Sequence, residues 1–291
     1  MKPRKLAGMQ DGIRENDLCK SADPQLAKVL PLNAKPDLIL WTSPLPHVVL
    51  LTLNRASKRN ALSNDLIAEL GAALRKAALD DDVRCVLLRG SDTFFSAGAD
   101  IKEMQQRGFE AVDNSARRSA WRDIANFPKP LIAAIEGICF GGGHELALLA
   151  DIVIAGEGAT FGQPEINIGI LPGDGATQRL TRVAGKSLAM LMILTGEPIS
   201  ARAAHQAGLV AEVTADGKAQ SRALEVAEVI AHKPPRSTEL AKAAVLAAYQ
   251  TTLDAGLEFE RQAIRHAFTT SDQQEGMNAF FEKRSPSYRG T

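Results

Sequence analysis

Residues 128–179 constrain the chain most, and their centre is Ile138-Cys139-Phe140-Gly141-Gly142-Gly143-His144-Glu145-Leu146-Ala147. An apolar, β-branched run over 131–135 precedes the three glycines, and Leu146, Leu149 and Ile152 follow at helical spacing. The pattern predicts strand, bare loop, helix. With no Cβ in the way, N–H groups at the positive end of the helix dipole can face a negatively charged oxygen closely, which implies an anion or oxyanion site. Glu145 falls in the first helical turn, so one segment supplies both hydrogen-bond donors and a carboxylate able to move a proton. The same residues also suit plain packing, since a first-turn acid is ordinary dipole chemistry and a glycine triplet also marks close helix–strand approach. The stretch alone leaves both readings open. His144-Glu145 begins like the zinc motif H-E-x-x-H, but its second histidine would fall on Leu148, so no metal site is expected.

At 291 residues the chain is one large domain or two small ones, long enough to bury a core. Its 34 acidic and 34 basic residues give a formal charge of +0, so nothing global draws it to nucleic acid or an anionic membrane. An anionic ligand has to be held by local groups. Cys19, Cys85 and Cys139 are odd in number and widely spaced, which suits a reducing compartment better than a disulfide framework or a metal cluster. No apolar run approaches the roughly eighteen residues a membrane span needs. A soluble, cytoplasmic protein is expected.

Residues 1–40 contain Pro24, Pro31 and Pro36, and Asp11, Glu15 and Asp17 disfavour a secretory or transit signal. This part reads as an extension that drapes over the surface or stays poorly ordered. A buried strand is expected over 47–53, a core-facing helix over 63–79 capped by Ser63 or Asn64, and a second strand over 84–89. Phe95-x-x-Gly98-x-Asp100 then matches Phe140-x-x-Gly143-x-Glu145 in spacing, so two strand–glycine loop–helix units can aim N–H groups at one point. The match is too short to separate a repeat from coincidence. A strand over 152–155 leads to Phe161-Gly162-Gln163-Pro164-Glu165, a turn with a second carboxylate. A G-x-G-x-x-G frame begun at Gly173 ends on Gln178, and a P-loop ending at Lys186-Ser187 would start on Leu180, so neither nucleotide motif is present. Helices are expected over 188–194, 201–206, 219–231, 237–249, 253–268 and 271–283, with a short strand over 209–213. Leu253, Leu257, Ile264 and Phe268 form an apolar stripe, the kind that packs on a core or on a neighbouring subunit.

Taken together, Asn54-Arg55, Asn60-Ala61-Leu62, the segments 95–102, 129–134 and 140–147, Pro164-Glu165 and Thr177-Gln178-Arg179-Leu180 resemble the enoyl-CoA hydratase (crotonase) family. The resemblance runs from about residue 45 to the end. It implies an α/β fold, a crotonase-type spiral of repeated ββα units over 41–233, and a C-terminal helical oligomerisation region over 234–291 that makes trimers, often paired into hexamers. It also implies an acyl-CoA thioester substrate and no cofactor besides, coenzyme A being part of the substrate. By motif position the oxyanion hole falls on the backbone N–H groups of Ala99 and Gly142, and the two catalytic glutamates on Glu145 and Glu165. Lys58, Ala61, Ala97 and Lys102, with Asp100, Ile101 and Gly173, match the substrate and CoA contacts, and Lys283 matches a basic residue supplied by an adjacent subunit. Asp174 stands where many relatives carry a small residue, which brings a third carboxylate toward the pocket. His144 is expected to face packing neighbours.

The implied chemistry is water addition to a 2-enoyl-CoA thioester. Charge builds on the thioester oxygen and calls for preorganised N–H donors, while water and C2 call for a base and an acid, which two carboxylates in different environments can divide. Within the same fold the rival is an enoyl-CoA isomerase or another crotonase lyase or hydrolase. RNA binding, known in a relative, is opposed by the neutral charge and by the lack of an aromatic-basic cluster.

Overall fold

The computed structural model describes residues 37–291. The expected N-terminal extension therefore lies, up to residue 36, outside the described residues. The folded chain begins with a hairpin, β1 (Ile39–Leu45) and β2 (Val48–Leu53), so its first strand starts two residues before the expected boundary at 41. α1 (Asn64–Leu79) follows, with the Ser63 hydroxyl accepting from Leu66 N–H at its start, as its spacing predicts.

The next segments alternate between two sheets. β3 (Cys85–Arg89) is followed by β4 (Phe94–Ser96) and α2 (Ile101–Arg107), and then by α3 (Ser115–Ala125). β5 (Leu131–Ile135), β6 (Ile138–Phe140) and α4 (Gly142–Ala147) repeat the unit, and β7 (Ile152–Gly156) with β8 (Thr160–Gly162) begins a third. The chain continues through α5 (Ala176–Thr195), β9 (Ile199–Ser200), α6 (Ala201–Gln206), β10 (Glu212–Thr214) and α7 (Ala219–Ala231). The first strands of each unit join a six-stranded sheet, order β1-β2-β3-β5-β7-β10, and the second strands a four-stranded sheet, order β4-β6-β8-β9. The expected ββα spiral is this alternation. Its inner pairings, β3 with β5, β5 with β7, β4 with β6 and β6 with β8, are all parallel.

Both faces of the larger sheet are covered, which is why its strands read as unbroken apolar runs. Val49, Leu51, Val86, Leu88, Leu131 and Ala133 face a core completed by Leu66, Ile67, Leu70 and Leu74 of α1 and by Trp121 and Ile124 of α3. Leu50, Leu87, Ile132 and Ile154 face Ala219, Ala223, Ala227 and Ala231, a row of small residues at every fourth position that brings α7 close to the sheet.

Four local expectations need correction. The helix after the glycines ends at Ala147, and Ile152 opens β7, because the chain must re-enter the large sheet there. The strand that leads into the glycine loop is β6 of the smaller sheet, one strand later than the 131–135 run. Helix α5 starts at Ala176 rather than near 188, with Gly185 at φ 80° and ψ 161° kinking it where the pattern seemed to begin. The strand expected over 209–213 is confined to 212–214, since Leu209 and Val210 are buried in the turn before it.

Three helices close the chain: α8 (Pro235–Ala247), with proline at its first position, α9 (Leu253–Ala267) and α10 (Ser271–Glu282). Lys242 of α8 fastens them to the sheet, pairing with Asp151 at 2.8 Å and donating to the Lys129 carbonyl at 2.9 Å. Among the described residues no helix is long and apolar enough to cross a membrane.

Candidate active site

The two glycine loops that match in spacing are held side by side by the parallel pairing of β4 with β6. In the first, Leu62 N–H donates to Gly98 C=O at 2.7 Å and Asp100 N–H donates to Leu62 C=O at 3.3 Å, so Leu62 is bonded to the residues on either side of Ala99. The Ala99 N–H is left without a partner among the described residues. The second loop places Gly141 at φ 52°, ψ −127°, a region reserved for glycine, and Gly142 is the first residue of α4, whose N–H has no intrahelical acceptor and no partner among the described residues. A Cβ built on Gly142 would lie 3.6 Å from Ala99 N, so the two free donors are neighbours. Gly143 has another purpose. A Cβ there would come within 2.6 Å of Ser96 Cβ, so this glycine packs the second loop against the first, which is the packing reading of the triplet at that residue.

Glu145 is 2% exposed, and its Oε1 accepts from Asp174 N–H at 2.8 Å and Ala176 N–H at 2.9 Å. Its other oxygen has no protein partner among the described residues. Burial first, and then the charge of Asp174, push its pKa up to about 7, against the pull of the Ala176 N–H. Glu165 lies in a 3₁₀ turn, Pro164–Ile168, where burial and Asp174 also raise its pKa. Its Oε1 sits 2.8 Å from where a Gly141 side chain would begin, which brings the second carboxylate over the glycine loop. Gln163, fully buried, joins Glu165 to His144: with its amide turned to satisfy both, it donates to the two Glu165 oxygens at 3.2 Å and accepts from His144 Nδ1 at 3.2 Å. His144 packs its edge on Phe161, and burial lowers its pKa to about 4, so it is a neutral packing residue, as expected.

Two unclaimed N–H groups, the buried Glu145 carboxylate and the half-buried Glu165 carboxylate, both of raised pKa, thus meet on adjacent units of the spiral. Residues 46–291 match the family model for enoyl-CoA hydratase/isomerase. The chain belongs to the enoyl-CoA hydratase/isomerase family. It is 46% identical over 242 residues to a probable mitochondrial enoyl-CoA hydratase of Dictyostelium discoideum, covering 83% of this chain and 87% of that one. It is 45% identical to the 2,3-dehydroadipyl-CoA hydratase of Escherichia coli K12, over 84% of this chain and 96% of the relative. A crystal structure of enoyl-CoA hydratase from Bacillus anthracis superposes with a TM-score of 0.83 at 40% identity, covering 87% of this chain and all (100%) of that one. The fold of the enoyl-CoA hydratase/isomerase family is therefore the fold seen here.

Of the residues expected from the family resemblance, Ala97, Ala99, Asp100, Ile101 and Lys102 follow one another along the first loop and into α2. Lys58 and Ala61 belong to a turn laced to that loop, in which Ala97 N–H donates to Arg59 C=O and Asn60 donates to Phe95 C=O, both at 3.0 Å. Asp100 is already engaged: it caps α2 and pairs with Arg55 at 2.6 Å. Burial raises its pKa, but the Arg55 and backbone hydrogen bonds outweigh that and hold it low. Gly173 lies in the loop whose next residue, Asp174, touches Glu145. Lys283 ends α10, and no hydrogen bond or ion pair joins it to these loops. Three residues at the site were not anticipated: Gln163, Asn64 and Arg117. Arg117 of α3 is 4% exposed and pairs with the Asp174 carboxylate. Its signal was present, because Arg117, Ala120, Trp121 and Ile124 share a helical face. Among the described residues no group of three or more His, Cys, Asp and Glu side chains is placed to hold a metal ion.

Proposed function

We propose that this chain adds water across the 2,3 double bond of a 2-enoyl-CoA thioester to give a 3-hydroxyacyl-CoA. The observation that carries the reading is the pair of free donors, Ala99 N–H and Gly142 N–H, beside two carboxylates of raised pKa. The donors receive the thioester oxygen and stabilise the charge that develops on it, each worth on the order of a hundredfold in rate. Ionised Glu145 takes a proton from water as its oxygen bonds to C3, and protonated Glu165 delivers a proton to C2. The carboxylates end with exchanged protonation states and re-equilibrate between turnovers. Each transfer contributes on the order of a hundredfold or more. Two retained acids favour hydration over double-bond isomerisation, which needs no water between them.

Lys58, Ala61, Ala97, Asp100, Ile101 and Lys102 are proposed to contact the CoA moiety, Gly173 the acyl part, and Lys283 the CoA of an adjacent subunit. No further cofactor is proposed. The working state is a trimer or a dimer of trimers, supported by the exposed apolar side chains of α9 and α10. The buried thiols of Cys85 and Cys139 suit the cytoplasmic location we propose. The test is a spectrophotometric series of 2-enoyl-CoA thioesters with products identified by mass. Gain of one water confirms the reading, and a double-bond shift or loss of CoA without hydration overturns it.

A further inference from the structure

Glu145, the proposed base, is held by a turn that is itself anchored from behind. Its Oε1 accepts from Asp174 N–H at 2.8 Å and Ala176 N–H at 2.9 Å, so the placing of that oxygen depends on where residues 173–176 lie. Arg117 of α3, 4% exposed, donates from Nη2 to the Asp174 carboxylate and from Nη1 to Asn64 Oδ1 at 3.2 Å. Asn64, at the start of α1, in turn donates its N–H and its side-chain amide to the two Glu103 oxygens of α2, each at 3.0 Å. From the other side Arg179 of α5 donates to the Asp174 carbonyl at 3.0 Å. The turn that holds Glu145 is thereby tied to α1, α2, α3 and α5, while water addition itself uses neither Arg117 nor Asp174. A buried ion pair is costly unless its polar groups are all partnered, and Arg117 Nε has no partner among the described residues. Packing alone does not account for the pair.

The charges that face Glu145 come from three elements: Asp174 from this turn, with the Arg117 cation behind it, Glu165 from the 3₁₀ turn, and Arg179 from α5. Of the two acids Asp174 acts on Glu145 more strongly, and His144, on the same helix as Glu145, is neutral. Asp174 is thus the residue that both bonds the base and sets a charge beside it. Burial favours the protonated form of Asp174, and Arg117 opposes that. Resting on the hydratase reading, we infer that Asp174, anchored by Arg117, is a positioning residue for Glu145: its N–H fixes one oxygen of the base, and its carboxylate stands beside the base as a fixed negative charge. The N–H leaves the other Glu145 oxygen free for water. The charge makes ionised Glu145 less favourable and therefore a stronger base.

The experiment is the pH profile of kcat/KM for hydration of crotonyl-CoA, whose acid limb reports the ionisation of Glu145 in the free enzyme. Asp174→Asn keeps the N–H and an acceptor for Arg117 but removes the charge, and its limb is expected to lie about one pH unit or more below that of the wild type. Asp174→Ala is expected to move the limb in the same direction. A merely structural role would lower the plateau and leave the limb in place, so a limb that stays or rises in either variant would overturn the inference. Loss of the anchor should weaken the effect: with Arg117→Met already present, adding Asp174→Asn is expected to move the limb by clearly less than it does in the wild type. An undiminished shift there would overturn the part assigned to Arg117. If Arg117→Met does not fold, Asn64→Ala, which cuts the same anchor at its next link, takes its place. Hydration of crotonyl-CoA by the wild type is established first. If it proceeds, an unmoved limb sinks only the positioning inference; if no enoyl-CoA gains water, the hydratase reading falls and this one with it.

Discussion

Glu145 holds a carboxylate in a place where charge is expensive, and both its chemistry and its cost follow from that. Its pKa of about 7 means that the base of the proposed reaction is half ionised near neutrality. We expect kcat/KM to fall about tenfold per pH unit below roughly pH 7, read from a pH–rate profile. Glu145→Gln keeps an acceptor for the Asp174 and Ala176 N–H groups but cannot take a proton, so turnover is expected to drop by about a hundredfold or more with KM little changed. Near-normal turnover would remove Glu145 from the mechanism. The same substitution bears on stability. Below pH 4.5 the group is protonated in both states; between 4.5 and about 7 the folded chain keeps a proton that the unfolded chain releases, so stability is lost as pH rises through that window. Glutamine is neutral throughout. Its stability advantage over the wild type should therefore grow between pH 5 and pH 8, by about 2.5 kcal/mol, measured by urea denaturation at both pH values. A constant difference would show that Glu145 ionises freely.

The two glycine loops are the elements on which the site depends, and they make separable demands. Proline is tolerated at the first position of a helix, so Gly142→Pro removes one donor and puts ring carbon in its place without disturbing the start of α4. Hydration should fall by about a hundredfold or more in a folded protein, and a fully active Gly142→Pro would disprove the oxyanion assignment. Gly143→Ala acts through packing: its methyl meets Ser96 Cβ at 2.6 Å and must push the loops apart. A loss of about 1–3 kcal/mol, seen as a lower urea midpoint, should accompany the loss of turnover, and an unchanged midpoint would mean the loops yield freely. These demands explain what the sequence showed and what it hid. Glycines are visible because few residues can replace them, so the two loops and the position of Glu145 at the start of α4 were readable, whereas Glu165 read only as a carboxylate in a turn until the family resemblance singled it out. β4, β6 and β8 are three residues each, too short to carry an alternation. Arg117 stands next to Arg118 in a charged stretch that resembles a solvated surface, and only the fold shows that one of the two is buried.

At the scale of the whole molecule, the C-terminal helices leave apolar surface uncovered. Leu253 is 77% exposed, and Phe280 and Phe281, at 79% and 80%, line a cleft of about 770 Å³ between α8, α9 and α10. Exposed apolar side chains clustered in this way are the kind of surface that buries against a partner. Ending the chain after Lys233 should give monomers or aggregate in size-exclusion chromatography, partly because Asp151 loses the Lys242 cation. A trimer or hexamer from that shortened chain would locate the interface elsewhere. The pairing of β4 with β6 has a different reach. Hydrogen-bonded strands stand about 4.8 Å apart, so the distance between the Ala99 and Gly142 loops is inherited from the sheet, and no side chain has to measure it. The sheet acts as a gauge. Residues around it can be exchanged to admit another thioester without resetting the donors, so laboratory evolution toward a new acyl-CoA should accept changes over 166–172 and reject them over 96–99 and 141–143.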